Sequence, residues 1–284
     1  MPLRSTATAR QERLGTELRK MREAAGITAR DTARLLGTDP AKVSHIEAGR
    51  LGVSEERLRR LASFYMCGDE ALIEALVAMA VGNGRKGWWE GYRGVVPAWL
   101  MDIAEMEHHA SALRSIQVSH IPGLLQTAGY SRTVVGNAIP PMPLNDLEAR
   151  VAFQMERAQV LRRDPPVPYA AVIHEAALRM RFGGTEITRG QLEHLLEMSH
   201  LEHVSVRILP FVGGGYIGSG HVMHFVAGPV PQLDTVQTDS AHGITLLHEA
   251  AQLATYQARF ELLTQDCLDR EESREFIRAV IRDL

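Results

Sequence analysis

Cysteine is scarce: Cys67 and Cys267 are the only two in 284 residues, and they lie far apart. That excludes a disulfide framework and any Cys-x-x-Cys metal or redox motif, and it fits a reducing compartment. No apolar run reaches the roughly eighteen residues that a membrane-spanning helix needs. The opening MPLRSTATARQERLG lacks the apolar core of a secretory signal. The expected compartment is therefore the cytoplasm, with no membrane partner.

Motifs of catalysis are equally sparse. There is no His-Glu-x-x-His, and Gly218-Ser219-Gly220 is not a nucleophile elbow, which needs Gly-x-Ser-x-Gly opening a helix. Twelve histidines invite a metal reading. His108 and His109 are adjacent, however, and His200 and His203 straddle a helix-to-strand junction. His221 and His224 on one strand would face opposite sides. The run Gly213 to Gly220 leads from one strand toward another, whereas a dinucleotide fingerprint leads from a strand into a helix. It reads as a hairpin or a lid. His174-Glu175 could form a base pair of the catalytic kind, but Glu175 reads better as the cap of the next helix. The expectation is a protein that is not an enzyme, with no metal and no cofactor.

What the chain does have is concentrated in Ile27 to Gly49, ITARDTARLLGTDPAKVSHIEAG. Thr28 has the hydroxyl to cap a first helix running to about Leu36, with Ala33 and Leu36 inward. Gly37 ends it, since a left-handed residue costs glycine little. Asp39 caps a second helix, with Pro40 at the first position, where a missing N–H does no harm. Val43 and Ile46 form the buried stripe of that helix. Ala41, Lys42, Ser44 and His45 are left pointing outward. Gly49 closes it, and Arg50 follows as a phosphate contact. Helix, tight turn and helix with a small, polar and basic outer face is the geometry that places a recognition helix in the major groove. Thr28, Ala29 and Arg30 at the start of the first helix, with Asp39 at the start of the second, complete the expected DNA-facing set. A carboxylate beside phosphate would be repelled, so Glu47 is expected to pair with Arg19 or Arg22 on the preceding helix.

Charge agrees with this reading. Residues 1–67 hold 13 Lys and Arg against 8 Asp and Glu, leaving 18 against 26 for the remainder of a chain whose net charge is −3. A basic module on an acidic body suits attraction to phosphate at one end and solubility at the other.

The segment resembles the phage-repressor-like, Xre-type helix-turn-helix family. Val43-Ser44-His45-Ile46-Glu47-Ala48-Gly49 carries the resemblance. Ala29 stands where that family has a phosphate-binding Gln, and Pro40 replaces a second DNA-contacting Gln. Contacts from Lys42, Ser44 and His45 must then count for more.

Three further helices complete the N-terminal module, residues 1–81: about Ala9 to Ala25 with Leu14, Leu18 and Met21 on one face, one capped by Ser54 with Leu58, Leu61 and Ala62 inward, and one from Asp69 to about Val81. The glycine-rich stretch Gly82 to Gly87 reads as a linker. In residues 88–284 the expected order is a helix from about Pro97 to Ser115, a turn at Pro122-Gly123 leading into a helix through Tyr130, and a long helix capped by Asn145 and reaching about Arg163. A strand Tyr169 to Ile173 and helices Glu175 to Phe182 and Thr188 to His200 follow. Strands Val204 to Leu209, His221 to Val226 and Thr235 to Thr238 precede two helices, Glu249 to Gln265 and Glu271 to Arg282. The predicted class is α+β: an all-helical module followed by a mixed α/β domain with a small sheet. All three tryptophans, with one tyrosine, open this region as Trp88, Trp89, Tyr92 and Trp99. They read either as packing at a domain junction or as the lining of a small-molecule pocket or partner groove.

This region is similar to an antitoxin-like domain of unknown function found behind Xre-type helix-turn-helices in actinobacterial regulators. Ile121-Pro122-Gly123-Leu124-Leu125-Gln126-Thr127 is the most specific block, supported by Trp88-Trp89, Arg157-Ala158-Gln159 and Glu175-Ala176-Ala177-Leu178. The resemblance implies a transcription regulator, of a kind often paired with a small partner protein. The leading expectation is a homodimeric, sequence-specific regulator of a double-stranded DNA operator, with a C-terminal domain that senses an effector or binds a partner. Two alternatives stay open: an antitoxin-like protein that sequesters a small partner and autoregulates, and an enzyme with an appended DNA-binding domain.

Overall fold

The computed structural model describes residues 7–82, 87–212, 222–240 and 243–284. Two compact units emerge, Met1–Gly91 and Tyr92–Leu284. The linker residues 83–86, the glycine run 213–220 and His221 lie outside the described residues.

The first unit is helical: α1 Ala9–Ala24, α2 Ala29–Leu36, α3 Pro40–Glu47, α4 Glu55–Phe64 and α5 Glu70–Gly82. Each start has a local cause. Thr8 and Gln11 form a reciprocal capping box at α1. Thr28, Asp39 and Ser54 accept the N–H of Asp31, Lys42 and Arg57. Gly37, at φ +60, ends α2 in the left-handed conformation. Leu14, Leu18, Val43, Leu58, Leu61 and Leu76 form the buried interior. Leu36, expected inward, is only half-buried.

The second unit is built on a six-stranded sheet of order β3-β2-β1-β4-β5-β6. Its strands are β1 Ala112–Gln117, β2 Tyr169–His174, β3 Val204–Leu209, β4 Met223–Ala227, β5 Thr235–Ser240 and β6 Gly243–Leu247. β1, β2 and β3 run parallel, and β4, β5 and β6 continue antiparallel. The helices are α6 Ala98–His108, α7 Ala128–Gly136, α8 Leu144–Ala158, α9 Glu175–Arg179, α10 Thr185–Ser199, α11 Ala250–Gln265 and α12 Arg270–Arg282. Leu113, Tyr169, Ala171, Val204 and Val206 sit on one sheet face, in a core shared with α10 and α12. Ile116, Val172, Phe225 and Val236 sit on the other, beneath Leu253, Phe260 and Leu263 of α11. The α+β class is as the sequence predicts.

Several expected boundaries are corrected. The helix expected over Pro97 to Ser115 ends at His108, and Ala112–Gln117 is the central strand β1. Because β1 is covered on both faces, it shows no simple apolar–polar alternation to betray it. Asn145 does not cap α8: the helix starts one residue earlier, at Leu144, behind Pro143, whose fixed φ of −56 suits the entry. That helix stops at Ala158, and Gln159–Leu161 tighten into a 3-10 turn. His174, not Glu175, caps α9, its Nδ1 accepting from the N–H of Ala176. α10 starts at Thr185, behind Gly183 and Gly184 at φ +76 and +88. The fourth strand begins at Met223, and β6 has no counterpart in the sequence reading. No described helix is long and apolar enough to cross a membrane.

Candidate nucleic-acid interface and the sheet cavity

The outer face of α3 is held from behind. Val43 and Ile46 are 2% and 6% exposed and anchor the helix. At its C-terminus Glu47 takes a two-pronged ion pair from Arg22 of α1, Nε to Oε1 at 2.6 Å and Nη2 to Oε2 at 2.9 Å. The same guanidinium donates to the carbonyl of Ile27 at 2.9 Å, tying the entry of α2 into the network. Hydrogen bonding to Glu47 raises the Arg22 pKa further, so that cation is permanent. Glu47 is thus a structural carboxylate, as its type and position suggest.

Two glycines allow the approach. A Cβ on Gly15 of α1 would meet the backbone carbonyls of Ile46 and Glu47. Gly49, at φ +71, has the backbone of Gln11 and Glu12 within 2.7 Å of where its Cβ would stand. Backbone touches backbone on both sides of the α1–α3 contact, so the recognition element is set against α1 with little room for adjustment.

The exposed residues are those of the DNA reading. Thr28, Arg30, Asp39, Ala41, Lys42, Ser44 and Arg50 are exposed, while Ala29 and His45 are half-buried. Not all are free to contact a ligand in the same way. The Thr28 hydroxyl accepts the Asp31 N–H and donates to Asp31 Oδ2 at 2.5 Å, which makes it a cap first. That bond holds the Asp31 carboxyl below its usual range. The N–H of Lys42 does the same for Asp39. Lys42 Nζ lies 3.5 Å from Asp39 Oδ2, an exposed contact that phosphate would readily displace. Ser44 donates to the carbonyl of Pro40 at 3.1 Å and keeps its lone pairs outward. Lys42 and His45 border a shallow groove together with Thr38, Ser54 and Arg57. Sequence reasoning did not single out Thr38 and Arg57. The signal for Arg57 lay in its place in the first turn behind the Ser54 cap.

The four aromatics are divided between the two units. Trp88 and Trp89 belong to the first unit, where their rings meet edge-on at 5.9 Å, with Trp89 buried. Tyr92 and Trp99 belong to the second. Tyr92 packs edge-on against Phe153 at 5.1 Å and donates to Glu156 at 2.7 Å. Of the four, Trp99 alone borders a cavity of about 350 Å³ in the second unit. Beside that cavity is a buried charge network. Arg157 of α8 grips Glu107 of α6 through Nη2 and Nε at 2.6 and 2.9 Å. His224 Nε2 of β4 lies 3.0 Å from the same carboxylate. Burial would push the Glu107 carboxyl up, but Arg157 and His224 outweigh it and hold it at about 2. His203 is occupied elsewhere, with Nε2 2.8 Å from the carbonyl of Leu161. Glu175 accepts from Arg179 Nε and from the N–H of Phe211, so it holds a turn.

Residues 13–76 match the family described as a helix-turn-helix domain. Residues 100–279 match the one described as a domain of unknown function, DUF5753. No curated protein and no solved structure matches the chain. The second match covers well over half of the 284 residues, so the chain belongs to the DUF5753 family and carries a helix-turn-helix domain ahead of that region.

Proposed function

We propose that the protein is a sequence-specific, DNA-binding transcriptional regulator without catalysis of its own. It works in the cytoplasm as a homodimer on a double-stranded operator, and its DUF5753 region senses an effector or binds a partner. The observation that carries the reading is the α3 geometry. A helix whose back is fixed by Val43, Ile46 and the Arg22–Glu47 pair offers Ala41, Lys42 and Ser44 outward, with His45 and Arg50 beside them. The Val43 to Gly49 block supports an Xre-type assignment. Dimerisation is inferred from recognition itself: one helix reads too few base pairs, and a two-fold pair doubles the site.

Genome-wide mapping of the protein's DNA sites, followed by affinity measurements on the recovered operator, tests this. The double variant Lys42→Ala, Ser44→Ala should lose operator affinity, with Lys42 alone contributing about 1–3 kcal/mol if it reads a base edge. Unchanged operator binding by a folded double variant refutes α3 as the reader.

A further inference from the structure

The arginines of α7 and α8 differ in what they hold. Arg132 makes a two-pronged pair with Glu148, both contacts at 2.7 Å. Arg157 is buried and grips Glu107 as described. Arg150 has no such partner: among the described residues, no hydrogen bond or ion pair reaches it. It is also half-buried, and a cation partly withdrawn from water is stabilised by an opposite charge.

The position of Arg150 gives that cation a use. Arg150, Phe153, Gln154 and Arg157 fall on one face of α8 at three- and four-residue spacing, and all four border the cavity of about 350 Å³. Trp99 and Leu100 of α6 and Val134 and Val135 of α7 add an apolar wall. Two carboxylates lie near this space, and both are engaged elsewhere. Glu107 is held by Arg157. Asp239 accepts from Gln237 Nε2 at 2.8 Å and helps to stabilise the charge of Arg157. Neither is within ion-pair distance of Arg150, which stands two helical turns before Arg157. His120 and His224, also on the wall, add no negative charge in either protonation state. The chamber thus combines hydrocarbon with one cation that lacks a counter-charge.

We propose that this cavity is a ligand site for a small organic acid with a flat, apolar body. The ligand's carboxylate would pair with Arg150, and its ring would rest among Trp99, Leu100 and Phe153. A planar guanidinium suits a carboxylate because two parallel N–H donors can meet its two oxygens. An apolar chamber with a charged group at one end is the arrangement that gives a small-molecule pocket its orientation and selectivity. The proposal deepens the sensory reading above and rests on it only for the ligand's role, not for its binding.

The test uses the full chain, with naphthalene-2-carboxylate as the acid probe and naphthalene-2-carboxamide as its neutral counterpart, followed by calorimetry and by ligand-observed NMR. The acid should bind about tenfold more tightly than the amide, the margin of a hydrogen bond to a charged group. Arg150→Gln should remove that margin, leave the amide unchanged, and keep the melting temperature, because the side chain makes no bond within the described chain. Arg150→Lys should restore part of the loss, since it keeps the charge without the fork. Leu100→Trp, which fills the chamber from its wall, should weaken both probes. Equal binding of the two probes, no binding of the acid at millimolar concentration, or unchanged acid binding in Arg150→Gln overturns the proposal. So does a folded Leu100→Trp chain that binds both probes as the wild type does. Operator affinity of the same preparations separates the two readings. A chain that binds its operator but not the acid loses the site and keeps the regulator. One that binds the acid but no DNA keeps the site and loses the regulator.

Discussion

Glu47 shows how much a single residue decides. Placed at the end of a DNA-facing helix, a carboxylate would weaken binding unless turned away, and Arg22 turns it away. Removing one partner leaves the other charge enclosed, so Glu47→Ala should cost about 3–5 kcal/mol, the range for breaking a buried pair. Thermal unfolding should show the lowered transition, and operator binding should fall with it. A variant of unchanged stability that binds DNA more tightly would place Glu47 against the phosphates. Glu107 makes the matching case in the second unit. Its folded pKa of about 2 lies below the ordinary 4.5. Its contribution to stability is therefore fully present above that ordinary value and is lost as pH falls from there toward 2. Melting temperatures taken between pH 6 and pH 2 should drop across that window in the wild-type chain. Glu107→Gln should be less stable at neutral pH by about 3–5 kcal/mol and should show a flatter acid limb.

Elements were legible where their ends carry chemistry of their own. Thr28, Gly37, Asp39, Pro40 and Ser54 mark helix limits through side-chain oxygens, a left-handed glycine and a fixed φ, and each boundary stands within a residue of its signal. The second unit was harder, because its strands are short and several are covered on both faces. Val204–Leu209 alternates cleanly and was visible. Ala112–Gln117 mixes Leu113 and Ile116 with Ser115 and Gln117, which border the cavity, and with Arg114, which lies over the Phe260 ring on the other face. The cavity itself joins α6, α8 and three or more strands, and no local window of sequence contains it. Gly15 was also silent in sequence: a mid-helix glycine signals nothing until its neighbour is known to be the backbone of Ile46 and Glu47. Gly15→Val should force α1 and α3 apart, costing about 1–3 kcal/mol as overpacked contacts do. Operator affinity should fall more steeply than stability, since the displaced element is the reader. Equal operator affinity in that variant would show that the α1–α3 spacing is immaterial to binding.

At the scale of the molecule, division of labour can be tested by cutting. The first unit has its own buried interior in Leu14, Leu18, Leu58, Leu61 and Leu76, so a fragment of residues 1–91 should fold alone, though a module of this size has only marginal stability. If the DUF5753 region supplies the dimer contact, the fragment should sediment as a monomer and bind the operator weakly. With one half-site lost, its salt dependence should fall in slope by about half. A dimeric fragment with full operator affinity would remove assembly from the tasks of residues 92–284.

The central strand joins parts of the chain that are made at very different times. β1 has its parallel neighbour at Tyr169 and its antiparallel neighbour at Met223–Ala227, with Ala112 facing Ala227. On the ribosome, everything needed by the five-helix unit has emerged long before the middle of the sheet can close. Contacts in that unit are local, and such units fold quickly. A nascent chain therefore passes through a stage in which the reader of DNA is complete while Ile116 and Leu113 still wait for cover, and chaperones would meet the protein at that stage.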